Sequence, residues 1–383
     1  MSERWQGHRG PIFRIGDVLK EPVYRRQTGR SPVLLLAAGH RIESELQLRQ
    51  LRDEGYSVAL PSEAVASSRP PSATPGPINP QPAGDDSDPG IEFSRRVESA
   101  YRVHETVVDA IREVLVRVGA GGAIPLERME QASADLLAQV RSDTSAVVAL
   151  TYLRRCDDYT VEHSANVATL MIAIARLLGV SEPDLPVLAL AGLMHDVGKQ
   201  RVPGHILNKP GTLTRDEFEE IRKHPMHGYE ILSACAACPD AVRIVALQHH
   251  ERLDGGGYPS GTTGLHPYSR IASVADAFDA MTSDRVYRRA VPTRPVLLEL
   301  FRESGTRLDP EAVDALIKLV GVYPVGTRVR LDTGECGIVV APNPEDTTRP
   351  AVRIDRGPNG RRVYPPRLCC LHASPHRVVA AEE

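Results

Sequence analysis

Histidines and aspartates recur at the ends and inner faces of successive apolar segments, and these are the residues whose chemistry the sequence must explain. His163 shares one helical face with Val167, Leu170, Met171 and Ile174, behind Thr160 as the expected N-cap. The next helix is expected from about Asp184; its Leu188, Leu190, Leu193 and Met194 run into His195-Asp196. Thr214-Arg-Asp-Glu217 has the form of a capping box, opening a helix expected to end at His224 before Pro225. Asp240 to Gln248 reads as a helix terminating in His249-His250-Glu251, and Ile271 to Met281 carries Asp276 and Asp279. Helical periodicity leaves the direction of Asp276 open.

Taken singly, each has a bland reading: His163 as a satisfied core histidine, Asp279 as a helix-end carboxylate. A His-Asp pair closing a strongly apolar helix is nevertheless costly unless something charged compensates it. The coincidence of five histidines and two aspartates at the ends or inner faces of successive apolar helices points to a cation. Imidazole and carboxylate together suit iron, manganese or zinc, and the lack of interspersed thiolates argues against a structural zinc site. Two cations bridged by one carboxylate need about this many ligands. Such a centre lowers the pKa of a bridging water and braces an in-line displacement at phosphorus.

The elements that position these residues are expected to be mainly α. At 383 residues the chain exceeds one typical domain. Its apolar fraction is 42% but aromatics are only 4%, so the core must be built from Leu, Val, Ile and Ala, which favours packed helices. Short apolar runs at 33–36 and 56–60 flank a helical pattern from Glu43 to Arg52, giving a small N-terminal α/β module over 1–60. A Pro, Ser, Gly and Asp-rich stretch follows, expected as a flexible linker over 61–90. Helical periodicity, with Val107, Ile111 and Val114 on one face, then governs 91–322, whose core is 151–322. Alternating segments at 327–331, 337–340 and 351–354 predict a small C-terminal β module over 323–383. No internal repeat is present.

A net charge of −3 with interspersed signs offers no stripe for duplex nucleic acid. The apolar runs are too short to span a bilayer, and the polar start, Met1 to Arg9, is no signal peptide, so a cytoplasmic protein is expected. Six cysteines form no disulfide framework in a chain of this size, and Cys235 and Cys238 lack a second pair to complete a zinc site.

Read as motifs, His195-Asp196-x-Gly198-Lys199 with Pro203, Lys209-Pro210-Gly211 and Leu213 resembles the HD-GYP family. So does His249-His250-Glu251-x-x-Asp254-Gly255-x-Gly257-Tyr258-Pro259, with Asp276 and Arg285-Val-Tyr287-Arg288 completing the pattern over about 151–322. The flanking modules are also similar to those found beside this domain. The resemblance implies a helical HD-type bundle whose metal ligands are His163, His195, Asp196, His224, His249, His250 and Asp276, with Asp196 bridging. It implies catalytic roles for Asp196 and Lys199, and substrate contacts from Lys199, Tyr258, Arg285, Arg288 and Asp157; Asp279 reads as a helix-end carboxylate or one holding a ligand histidine. The implied reaction is hydrolysis of cyclic di-GMP to linear pGpG, or on to GMP, by a metal-bridging hydroxide. Members with three metals resemble one another in a Glu four residues before the first ligand histidine; here that residue is Tyr159, so two divalent ions are expected, iron or manganese. Diguanylate cyclases or other signalling proteins are the implied partners, with a homodimer among the expected assemblies. The alternatives are a sensor that binds the dinucleotide without turnover and a broader HD-type phosphohydrolase, which the Gly-Tyr-Pro loop and Arg285/Arg288 disfavour.

Overall fold

The structure is a computed structural model that describes residues 23–27, 30–36, 57–58, 89–153, 159–209, 211–283 and 290–382. The chain divides into two units, Met1–Asp85 and Asp86–Glu383. In the first, β1 (Val23–Gln27) pairs antiparallel with both β2 (Arg30–Leu36) and β3 (Ser57–Val58). The strand β1 carries Tyr24-Arg25-Arg26 and was not expected from its pattern. The helix expected over Glu43 to Arg52 and nearly all of the expected linker lie outside the described residues.

The second unit opens with α1 (Pro89–Gly119), which starts inside the last residues expected as linker; proline at the first helical position loses no hydrogen bond. Next come α2 (Leu126–Ser142), α3 (Thr144–Leu153) and α4 (Tyr159–Leu177). The helix α4 already includes Tyr159, so Thr160 lies within the first turn rather than capping it. A single 3-10 turn leads into α5 (Leu185–Met194), in which eight of ten residues are buried. A helix apolar all round belongs at the centre of its domain. Around it stand α6 (Gly204–Leu207), α7 (Arg215–Ile221), α8 (His224–Ser233), α9 (Asp240–Gln248), α10 (Pro267–Thr282), α11 (Thr293–Glu303) and α12 (Pro310–Val320). One apolar cluster, including Ile111, Leu136, Leu170, Leu188, Val245 and Leu316, joins them, and Phe278 is the one aromatic among its largest fully buried side chains. The mainly α expectation therefore holds.

The chain closes in an antiparallel sheet ordered β7-β6-β5-β4-β8, formed by β4 (Arg328–Leu331), β5 (Cys336–Ala341), β6 (Ala351–Arg356), β7 (Arg362–Cys370) and β8 (Val378–Glu382). Val329, Leu331, Val339, Val352 and Ile354 alternate onto one face and form a separate small core. Among the described residues no helix is long and apolar enough to cross a membrane.

Candidate metal centre

The packing of α5 sets the site. A Cβ on Gly192 would come within 2.6 Å of the Ala168 Cα, so the α4 and α5 backbones touch there. His163 on α4 and His195 at the end of α5 are thereby brought to a ring separation of 5.2 Å. Because α5 ends inside the protein, His195 and Asp196 emerge at 0% and 3% exposure. The 3-10 turn Val197–Arg201 then lays Gly198 against α8, where an added Cβ would meet the His224 carbonyl oxygen at 2.0 Å. The capping box of Thr214 and Glu217 forms as expected, but α7 ends at Ile221. His224 opens α8 instead of closing the preceding helix, because Pro225 suits a first helical turn and not a last one. His249 caps α9, His250 follows it, and α10 supplies Asp276 and Asp279.

These side chains converge. Asp196 Oδ2 lies 3.3 Å from His195 Nε2 and 3.5 Å from His163 Nε2. Its other oxygen, Oδ1, lies 3.2 Å from His224 Nε2 and 3.7 Å from His249 Nε2. Asp276 spans the same two halves, with Oδ1 3.0 Å from His163 Nε2 and Oδ2 3.5 Å from His250 Nδ1. Two triads able to hold a cation result, His163/His195/Asp196 and His224/His249/His250, each with its ligating atoms within 4.8 Å of one another.

Four imidazoles are oriented by the nitrogen that faces away. The Nδ1–H groups of His195, His224 and His249 donate to the carbonyls of Gly192 (2.8 Å), Ile221 (2.7 Å) and Ala246 (2.9 Å). A carbonyl only accepts, so Nδ1 keeps the proton and Nε2 turns a lone pair inward. His163 Nδ1 donates to Asp279 Oδ2 at 2.6 Å, and Asn166 Nδ2 donates to Asp279 Oδ1 at 2.8 Å. Asp279 thus holds His163 in the way that outer carboxylates fix metal-bound imidazoles.

The donor set fits cations. His195 Nε2 and Asp196 Oδ1 are buried without a hydrogen bond, and His224 Nε2 faces His249 Nε2 at 3.1 Å. Such atoms are costly unless something positive lies between them. Burial, reinforced by the neighbouring imidazoles, pushes His249 well below its usual pKa, and burial pulls His250 down to about 3. Both are neutral, as ligands must be. Burial would raise the Asp196 and Asp276 carboxyls, but Lys199 and His195 beside the first, and His163 and His250 beside the second, hold both well below the carboxylate range. Burial disfavours the His163 cation, yet its bonds to Asp276 and Asp279 outweigh this and raise it to about 9.

On the remaining positions, Lys199 sits at the edge with its ammonium on Asp196. Tyr258 stacks on His250 at 4.7 Å and 28°. Burial next to Asp276 pushes its phenol above the usual range. Asp157, Arg285 and Arg288 lie outside the described residues. Three further residues escaped the sequence reading. Asn166, one turn after His163, was detectable as a polar residue on a buried face. Glu251, 2% exposed, accepts from the Ser260 and Gly261 N–H groups at 2.7 and 3.1 Å and so ties the Gly-rich loop to the His249-His250 segment. Arg222 lies over the Tyr258 ring, a contact that no local spacing announces.

Helices that gather two triads able to hold a cation, with Asp276 reaching toward both, define a histidine–aspartate domain of the metal-binding kind. The family model for the HD domain matches residues 151–312. The chain is 34% identical over 327 residues to the cyclic di-GMP phosphodiesterase PA4108 of Pseudomonas aeruginosa, covering 82% of this chain and 77% of that protein. It is 40% identical over 161 residues to the cyclic di-GMP phosphodiesterase response regulator RpfG of Xanthomonas campestris, covering 41% of this chain and 42% of that one. It is 38% identical over 168 residues to the 3'3'-cGAMP-specific phosphodiesterase 3 of Vibrio cholerae, covering 43% and 36%. The last two matches take in less than half of each relative. With its Gly257-Tyr258-Pro259 loop, this chain belongs to the HD-GYP family of metal-dependent phosphohydrolases.

Proposed function

We propose that this chain hydrolyses cyclic di-GMP to linear pGpG at a two-cation centre held by His163, His195, Asp196, His224, His249, His250 and Asp276. The observation that carries the reading is the division of Asp196, one oxygen toward His163 and His195 and the other toward His224 and His249. The substrate follows the named activities of PA4108 and RpfG. Iron or manganese are the proposed occupants, and when bound such ions acidify a water and neutralise charge at phosphorus. Asp196 would serve both cation positions, and Asp276, with one oxygen toward His163 and the other toward His250, would be a further ligand. Lys199 leaves Asp196 for a non-bridging phosphate oxygen, and Tyr258 offers a ring wall beside His250. Arg285, Arg288 and Asp157 are proposed as further substrate contacts. The count of two rests on Tyr159, because a phenol is a poor ligand for such cations at neutral pH.

Metal analysis of anaerobically purified protein, paired with chromatography of the products from cyclic di-GMP, tests the proposal. Two metals per chain and pGpG ahead of GMP are expected. Asp196→Ala should retain less than about a tenth of turnover, a barrier increase above about 1.4 kcal/mol. Three tight metals would overturn the count, and GMP without a lag would overturn the product. Tight binding with no turnover in metal-replete protein would favour the sensor reading.

A further inference from the structure

Arg222 stands on the short connection between α7 and α8, two residues before His224. Its guanidinium carbon lies 4.7 Å from the centroid of the Tyr258 ring, and the same ring stacks on His250. Tyr258 therefore joins an imidazole of the metal centre to a guanidinium. Arg222 Nη1 donates to both oxygens of Glu219, at 2.9 and 3.3 Å. Its Nη2 and Nε have no hydrogen-bond partner among the described residues, and its side chain is 33% exposed. The guanidinium is thus oriented by a ring and a carboxylate, with one edge left for something else.

Charge makes that edge useful. Asp196, Asp276 and Asp279 lie within the centre, and Lys199 is engaged with Asp196. A cyclic dinucleotide has two phosphodiesters and two bases, and only one phosphodiester can be at the cations. The rest must be gripped from the wall. A pre-oriented guanidinium donates two parallel N–H bonds to a pair of adjacent acceptors, such as two phosphate oxygens or the O6 and N7 of guanine.

We propose that Arg222 is a substrate-binding residue that takes such an acceptor pair on the part of the cyclic dinucleotide remote from the scissile phosphate. The inference rests on the cyclic-dinucleotide reading given above. Its test uses full-length, metal-replete Arg222→Met and Arg222→Lys proteins. The measurements are kcat and KM for cyclic di-GMP and cyclic di-AMP, bound metal, and the thermal midpoint. Arg222→Met should raise KM for cyclic di-GMP about 10- to 100-fold, the loss of a charge-assisted pair, with kcat within about threefold and bound metal unchanged. Lysine should recover part of the loss. A loss shared by cyclic di-AMP assigns the contact to phosphate, and one confined to cyclic di-GMP assigns it to guanine. Unchanged KM, or a fall in kcat together with metal content, would overturn the assignment and leave Arg222 as a brace for Tyr258. Failure of the wild type to turn over either dinucleotide would instead overturn the reading beneath it.

Discussion

Substituting Gly198 by alanine should cut turnover about a hundredfold while the protein stays folded. The added methyl would sit 2.0 Å from the His224 carbonyl oxygen and 2.4 Å from the Gly228 nitrogen, both backbone atoms that cannot rotate away. Reaching even 3.0 Å, below which real contacts essentially do not occur, requires the turn and α8 to part by about 1 Å. His224 begins α8, so the movement passes directly to its imidazole, whose Nε2 is 3.2 Å from Asp196. Overpacking of this kind costs about 1–3 kcal/mol of stability, and a misplacement of about 1 Å at a reacting centre costs on the order of a hundredfold in rate, about 2.7 kcal/mol of barrier. The facing glycine supplies the control, because a Cβ on Gly228 would find only ordinary neighbours, Ala246 Cβ at 3.4 Å and Gly198 N at 3.5 Å. Turnover of cyclic di-GMP and thermal unfolding, measured on both metal-replete variants, separate the two. Gly198→Ala activity within about threefold of wild type, or Gly228→Ala equally impaired, would refute the claim that this contact sets His224.

Asp279→Asn should weaken metal binding about 10- to 100-fold with the fold retained, because an amide cannot accept from both His163 and Asn166; competition against a chelator reads it. Glu251→Gln keeps an acceptor for the two loop N–H groups and should stay within about threefold of wild-type activity. Glu251→Ala strands both donors, at about 1–3 kcal/mol each, and should raise KM and lower the thermal midpoint. In metal-stripped protein, the folded state refuses the proton that unfolded His250 takes up as pH falls below 6.5, until about 3, so stability drops on the acid side. Folded His163 instead keeps its proton up to about 9, so its contribution is full below 6.5 and is lost as pH rises through 9; thermal midpoints across this range should peak near neutrality.

The helical body was legible because its periodicity is strong and its boundaries are chemically marked. The capping box at Thr214 and Glu217 formed, and the apolar run of Leu185–Met194 became the central helix. The failures lie where one residue suits two positions. Pro225 can follow a helix end or occupy a first turn, and only packing of Gly198 against His224 decides for the second. In the terminal sheet, β7 was not among the expected strands; it contains Pro365 and Pro366, and as an edge strand it tolerates missing N–H donors.

The residues proposed to hold cations were findable in sequence because each must interrupt an apolar face at a cost, and that cost leaves a local signature at His163, His195 or Asp276. The wall around them carries no such signature. Arg222 is an ordinary charged residue on a helix-to-helix connection, and its partner Tyr258 is 36 positions away on a loop. That loop is placed by the Glu251 carboxylate and by the Tyr258 N–H donating to the His250 carbonyl at 3.2 Å. The segment holding His249 and His250 is therefore also the anchor of the loop beside them. It follows that loop substitutions which spare these two anchors should change which dinucleotide is accepted while leaving bound metal intact, and those which break them should disturb both together.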